Sequence, residues 1–217
     1  MYTPRFNPNS AVSNWKGRLD YLKGYPGAAM SGALNGGFFG TVGIEATGGT
    51  VYEYGIYKAH VFTSSGTFTI VSNANAQKVE MLIVAGGGSS ASPSNSGGGG
   101  AGGMRTWLNG GGGTNNDAVT LADGAWAVTV GAGGASSSNN GNGSQIGTWP
   151  GTLYDSTYGG RGGKGWSTNS SSGGSGGGGA GDNTAAQYGG AGNAGGFSPV
   201  EGYAGADSGG SWNGNSS

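Results

Sequence analysis

The chain has no cysteine, so neither a disulfide framework nor a thiolate metal site is open to it. Charge is scarce as well. Asp, Glu, Lys and Arg make up 9% of the residues and leave a net charge of −1. A nucleic-acid partner, which calls for a basic excess, is not expected. No apolar run approaches the ~18 residues of a membrane span, so no membrane insertion is expected. Met1–Ser10 lacks the apolar stretch of a secretory leader. Apolar residues reach only 34%, against a usual ~45–50%. A core of ordinary side chains can therefore serve only part of the chain.

What is present is glycine, 55 residues of 217, where about 7% is usual. Strict Gly-X-Y spacing is absent, which excludes collagen. Glycine and serine at this density ordinarily read as a disordered linker. Ordering one residue costs about 1–2 kcal/mol, with glycine at the high end, and one net hydrogen bond returns only about 1 kcal/mol. Order is possible only if nearly every peptide group is paired and contacts are dense. Extended left-handed helices with three residues per turn meet both conditions, because their peptide groups point outward to neighbouring chains.

Two features favour that arrangement over a linker. Apolar runs lead straight into glycine: Val79–Val84 into Gly86–Gly88, and Trp126–Val130 into Gly131–Gly134. Large rings also punctuate the tracts, at Trp149, Tyr154, Tyr158, Trp166, Tyr188, Phe197, Tyr203 and Trp212. A solvated linker seldom carries so many.

Three regions follow. Residues 1–50 hold Pro4, Pro8, Pro26, Arg5, Lys16, Arg18 and Lys23. Val12, Trp15, Leu19 and Leu22 fall near one helical face, so a short helix is expected between Ser10 and Leu22. The region is expected to be an extended anchoring arm, because Trp15, Tyr21, Tyr25, Phe38 and Phe39 need a place to be buried. Residues 51–130 form a β-rich base with the first glycine tracts. Tyr52, Tyr54 and Ile56 alternate at period two. Val61–Thr63 and Thr67–Val71 read as a hairpin across Ser64-Ser65-Gly66, Asn73–Gln77 as a loop and Val79–Val84 as a buried strand. Residues 131–217 are expected to be a glycine-rich bundle with variable loops.

The fold class expected is mainly β and irregular: a small antiparallel β region at the base of a polyglycine type II bundle. The run Val61-Phe-Thr-Ser-Ser-Gly-Thr-Phe-Thr-Ile70, then Val79-Glu-Met-Leu-Ile-Val-Ala-Gly-Gly-Gly88, Gly97–Arg105 and Ala127–Gly134, resembles the glycine-rich domain of phage tail-fibre, adhesin and other virion proteins. The resemblance covers roughly 51–210. It implies a β-rich base under polyglycine II rods, and loops at a distal tip that touch the host surface. It further implies a virion component, a tail fibre or fibre-tip adhesin, with a capsid-surface decoration protein as the alternative. A virion component released by lysis needs no secretory leader.

Candidate chemistry is thin. The many Gly-x-Gly-x-x-Gly matches follow from density alone, and none opens a helix after a strand. Gly163-Lys164-Gly165 lacks the Ser or Thr of a phosphate loop. His60 is the only histidine and reads as a strand or surface residue. The carboxylates Asp117, Asp123, Asp155, Asp182, Glu201 and Asp207 are scattered, and a glycosidase pair among them is the weaker hypothesis. No enzyme activity, cofactor or metal is expected. Rings on loops suit sugar faces and apolar patches, so Trp149, Tyr154, Tyr158 and Trp166 are the receptor-binding candidates, with packing over the rods as the competing role. Expected partners are other virion proteins through the arm, a host glycan or outer-membrane protein, and further copies of the chain, a trimer in preference to other states.

Overall fold

The computed structural model describes residues 43–91, 95–113, 115–136, 139–148, 151–165, 169–181 and 187–209. The expected helix between Ser10 and Leu22, and the arm with Trp15, Tyr21, Tyr25, Phe38 and Phe39, lie outside them. The described residues belong to one unit, Val42–Ser217, and contain strands but no helix.

The strands are β1 (Glu45–Thr47), β2 (Thr50–Tyr54), β3 (Tyr57–Val61), β4 (Gly66–Ser72), β5 (Met81–Val84), β6 (Met104–Leu108), β7 (Asn116–Asp117), β8 (Gly124–Thr129), β9 (Ser144–Gly147) and β10 (Leu153–Ser156). They form a five-stranded sheet in the order β1-β4-β8-β9-β10, a three-stranded sheet β5-β6-β7 and the separate pair β2-β3. Every pairing is antiparallel except β6 with β7. β1 lies within the stretch expected to be arm, yet it pairs with β4.

Alternation explains the core. Side chains at period two share a face, so β4 turns Phe68 and Ile70 inward, β9 turns Ile146, and β5 and β6 turn Ile83 and Trp107 towards them. Leu121, from the segment before β8, completes this cluster. Trp126, Val128 and Tyr154 flank it in register with Phe68 and Ile146.

Two strand expectations differ from the structure. The hairpin turns at Gly55-Ile56, not at Ser64–Gly66: β3 pairs with β2, whereas β4 lies between β1 and β8. Gly55 has φ +60° and Ile56 is not left-handed, the pattern of a two-residue type II′ turn. Such a turn fits the strand twist better than a three-residue Ser-rich link. The second difference is β5. Its run, Val79–Val84, reads as a buried strand, but Leu82 and Val84 are 62% and 51% exposed.

Beyond the strands the glycine tracts form straight rods. Gly97, Gly100 and Gly103 donate to the carbonyls of Gly163, Gly160 and Thr157 at 2.9, 2.8 and 2.8 Å. Gly159 and Gly162 donate to Gly86 and Ser89, while Gly160 and Gly163 donate to Ser175 and Gly178. Gly176 and Gly179 donate to Tyr203 and Ala206. Each partner recurs every third residue, the period of a three-residue helix, where a β ladder repeats every second. Neighbouring rods run both ways: 97–103 is antiparallel to 157–163, and 157–163 is parallel to 174–180.

Most glycines of these rods serve space, not conformation. Positive φ among glycines is confined to turns and strand ends such as Gly55, Gly110 and Gly147. Inside the rods, a Cβ at Gly97, Gly102, Gly176 or Gly190 would stand less than 3.0 Å from a neighbouring carbonyl. That is overlap with backbone, which has no rotamer to yield. Residues with side chains occupy the third row, as Arg161 does between Gly159-Gly160 and Gly162-Gly163.

Candidate functional site

Chemistry that faces outward is concentrated in the β2-β3 hairpin. Its ladder pairs Thr50 with Val61, Tyr52 with Ala59 and Tyr54 with Tyr57 on one face, and Val51 with His60 and Glu53 with Lys58 on the other. The first face is thus aromatic and uncharged. The second carries the Glu53–Lys58 ion pair, 3.0 Å long and exposed. Tyr52, Tyr54 and Tyr57 are 59%, 85% and 69% exposed, and Ile56 at the turn is 92% exposed.

The root of the hairpin is fixed. His60 Nδ1–H donates to the Gly48 carbonyl at 2.8 Å, and its ring meets Phe68 edge-on at 5.1 Å. Phe62 meets the same Phe68 ring at 6.3 Å. Gly48 and Gly49, at φ +106° and +65°, let the chain pass close to the Thr67 and Val61 carbonyls and the Phe62 ring, where a Cβ would collide with the carbonyls. The lone histidine therefore holds a strand in place, as its sequence setting suggests. The result is a rigid base under three tyrosines on a two-stranded ladder.

The sequence candidates fare unequally. Tyr154 is half-buried and its ring packs edge-on against the core residue Trp107 at 5.5 Å. Tyr158 is half-buried, and its carbonyl accepts the Gly174 N–H at 2.7 Å. Trp149 and Trp166 lie outside the described residues. Tyr188 and Tyr203, at outward positions of the rods, are 62% and 75% exposed. The alternation of Tyr52 and Tyr54 before Gly55 marks a strand in sequence, but the lack of a covering layer is a tertiary fact.

A second feature is a groove of about 430 Å³ lined by Thr67, Asp123, Trp126, Ala127, Thr148 and Thr152. It opens where β9 parts from β8 at Gly147, whose φ is +101°. Thr148 and Thr152 flank the loop that carries Trp149 in sequence. Asp123 also accepts the Asn73 N–H at 2.7 Å.

Two of the scattered carboxylates do converge, around Arg105 where the strands meet the rods. The guanidinium donates to the Asp155 carbonyl at 2.8 Å and to its carboxylate at 3.2 Å. It lies over the Phe197 ring at 3.7 Å and the Trp107 ring at 4.7 Å. Burial pushes its pKa below the ordinary value, and the charges of Asp155 and Glu201 push it back up. Glu201 is buried; its carboxylate accepts the N–H of Thr157 at 2.7 Å and of Gly195 at 3.3 Å. Its carbonyl accepts the Met104 N–H. The acceptor positions of Glu201 are thus occupied by backbone, and the cluster ties β6 and β10 to the rod at 202–208. Among the described residues no group of three His, Cys, Asp or Glu side chains could hold a metal ion.

Neither a curated protein nor a solved structure matches the chain. A family model does: the glycine-rich domain matches residues 63–217, which takes in β4 to β10 and every rod. The chain belongs to the glycine-rich domain family.

Proposed function

We propose that the chain is a non-enzymatic virion component of a bacteriophage, a tail fibre or fibre-tip adhesin that presents exposed rings to a host surface. The observation that carries this reading is the tyrosine face of the β2-β3 hairpin, uncharged and uncovered on a fixed root. Tyrosine combines a flat apolar ring with a hydroxyl, which suits the faces and hydroxyls of a cell-surface glycan and the patches of an outer-membrane protein. The rods supply stiffness, since each is locked to its neighbours through main-chain hydrogen bonds. Residues 1–50 are the part proposed to dock on other virion proteins, and the chain is proposed to work as a homo-oligomer, a trimer before other states.

Binding of labelled full-length protein to host cells tests the reading. Tyr54→Ser with Tyr57→Ser should lower cell binding by at least about tenfold and leave the melting temperature unchanged, because both rings are exposed. Trp149→Ala with Trp166→Ala should lower binding if the loop rings also touch the host, and stability if they pack on the rods. Wild-type protein that ignores host cells yet occupies the capsid surface stoichiometrically would replace the adhesin with the decoration reading.

A further inference from the structure

Not all the rod glycines are explained by contacts within the chain. At Gly98 an added Cβ would meet nothing within 4 Å, and at Gly133 only the Gly87 carbonyl at 3.7 Å. Neither has a positive φ. A side chain would fit at both, and none is there.

These positions share one side of the bundle. Gly134 donates to Gly87, joining the rod at 131–134 to that at 85–89, and Gly88 donates to Gly100, joining the latter to 97–103. The row across the three rods is Gly133, Gly87, Gly98 and Ala101; Gly133, Gly98 and Ala101 are exposed, while Gly87 is half-buried, with the Gly100 carbonyl 3.3 Å from where a Cβ would stand. Among the described residues the N–H groups of all four donate to no acceptor. Three residues further along the same rows stand Val84 and Met104, cross-strand partners that are 51% and 56% exposed, with Leu82 beside them. The rods at 187–190 and 203–208, which join the bundle through 174–180, differ: Tyr188, Tyr203 and Asp207 on them are all exposed.

A flat surface with no side chain larger than the Ala101 methyl group and a row of free donors is the rod counterpart of an open sheet edge, which recruits another chain. Its free groups repeat every third residue, so the surface that matches them has the same repeat and equally little bulk. A rod of this family meets both conditions; a side-chain-bearing strand or helix meets neither. Rods rising ~3.1 Å per residue and spaced about 5 Å apart, with the outward side of β5-β6, give a face on the order of 400 Å². That is about half of the ~800 Å² one partner contributes to a standard interface, the size of a weak, concentration-dependent contact.

We infer that this face is the contact between copies of the chain, in which the rods of one copy extend the lattice of the next and Leu82, Val84 and Met104 are buried. The exposed side of β5, whose sequence reads as a buried strand, is then covered in the assembly. The inference concerns the isolated chain and stands or falls apart from any virion role.

Sedimentation of the full-length chain from low to high micromolar concentration tests it. The wild type should pass from monomer to oligomer. Gly98→Gln with Gly133→Gln should weaken association by at least about tenfold at an unchanged melting temperature, because both side chains have room in the single chain. In the wild type, amide exchange at Gly98 and Ala101 should slow as concentration rises. A wild-type chain that stays monomeric, Gln variants that associate as tightly, or exchange at Gly98 and Ala101 that ignores concentration would each overturn the inference. So would loss of association in the chain with Tyr54→Ser and Tyr57→Ser alone, which would place the contact at the hairpin.

Discussion

The two parts of this molecule obey opposite packing rules. Between the sheets, order comes from side chains: Phe68, Ile70, Ile83, Trp107, Leu121 and Ile146 fill the space, and the backbone stays at the periphery. Among the rods, order comes from the backbone, and a side chain is an intrusion wherever a neighbour lies. The base should therefore fail when residues become smaller, and the bundle when they become larger. Glycine's entropic cost on folding is the same in both settings; what differs is whether a neighbouring peptide takes the place a Cβ would occupy.

Substitutions can break or sharpen that contrast. The largest effect is expected from Trp107→Ala, which empties the core, removes the edge contact to Tyr154 and uncovers Arg105. A loss of about 3–5 kcal/mol is expected in denaturant unfolding. Gly176→Ala adds one methyl group against the Gly190 carbonyl and should cost about 1–3 kcal/mol, although alanine is ordinarily the safest replacement. Stability equal to wild type would mean the rods are not close-packed. Glu201→Gln keeps the shape but weakens the bonds from Thr157 and Gly195 and removes a charge near Arg105. About 1 kcal/mol is expected, as charged hydrogen bonds give way to neutral ones. Gly98→Ala, one position along from the crowded Gly97, should change stability by less than about 0.5 kcal/mol. The sharpest form of the contrast is this last pair: a heat-scan comparison of Gly97→Ala with Gly98→Ala should show a clear loss for the first alone.

Much of this was legible in the sequence, and the reasons are physical. The strand-to-glycine transitions at Val84 and Val130 mark where side chains cease to do the packing, and they fall where β5 and β8 run into rods. The need for main-chain pairing followed from glycine's lack of any other means of cohesion. Which rod neighbours which did not follow, because Gly-Gly-X triplets are nearly interchangeable in sequence and only the three-dimensional arrangement tells Gly97 from Gly98. The hairpin was displaced for a related reason: Ser64-Ser65-Gly66 and Tyr54-Gly55-Ile56-Tyr57 are both acceptable turns, and long-range pairing of β4 with β1 and β8 chose between them. Of the site, Tyr154 and Tyr158 were visible as rings among loops, but the packing that half-buries the first against Trp107 was not. Tyr52, Tyr54 and Tyr57 were visible only as a strand, since exposure depends on what fails to pack against it.

Residue-resolved amide exchange along 97–103, in protein diluted below any association, tests the lattice most directly. Slow exchange is expected at Gly97, Gly100 and Gly103, whose N–H groups donate to Gly163, Gly160 and Thr157, with fast exchange at the residues between. Uniformly fast exchange, or protection at every second residue, would contradict the three-residue rods.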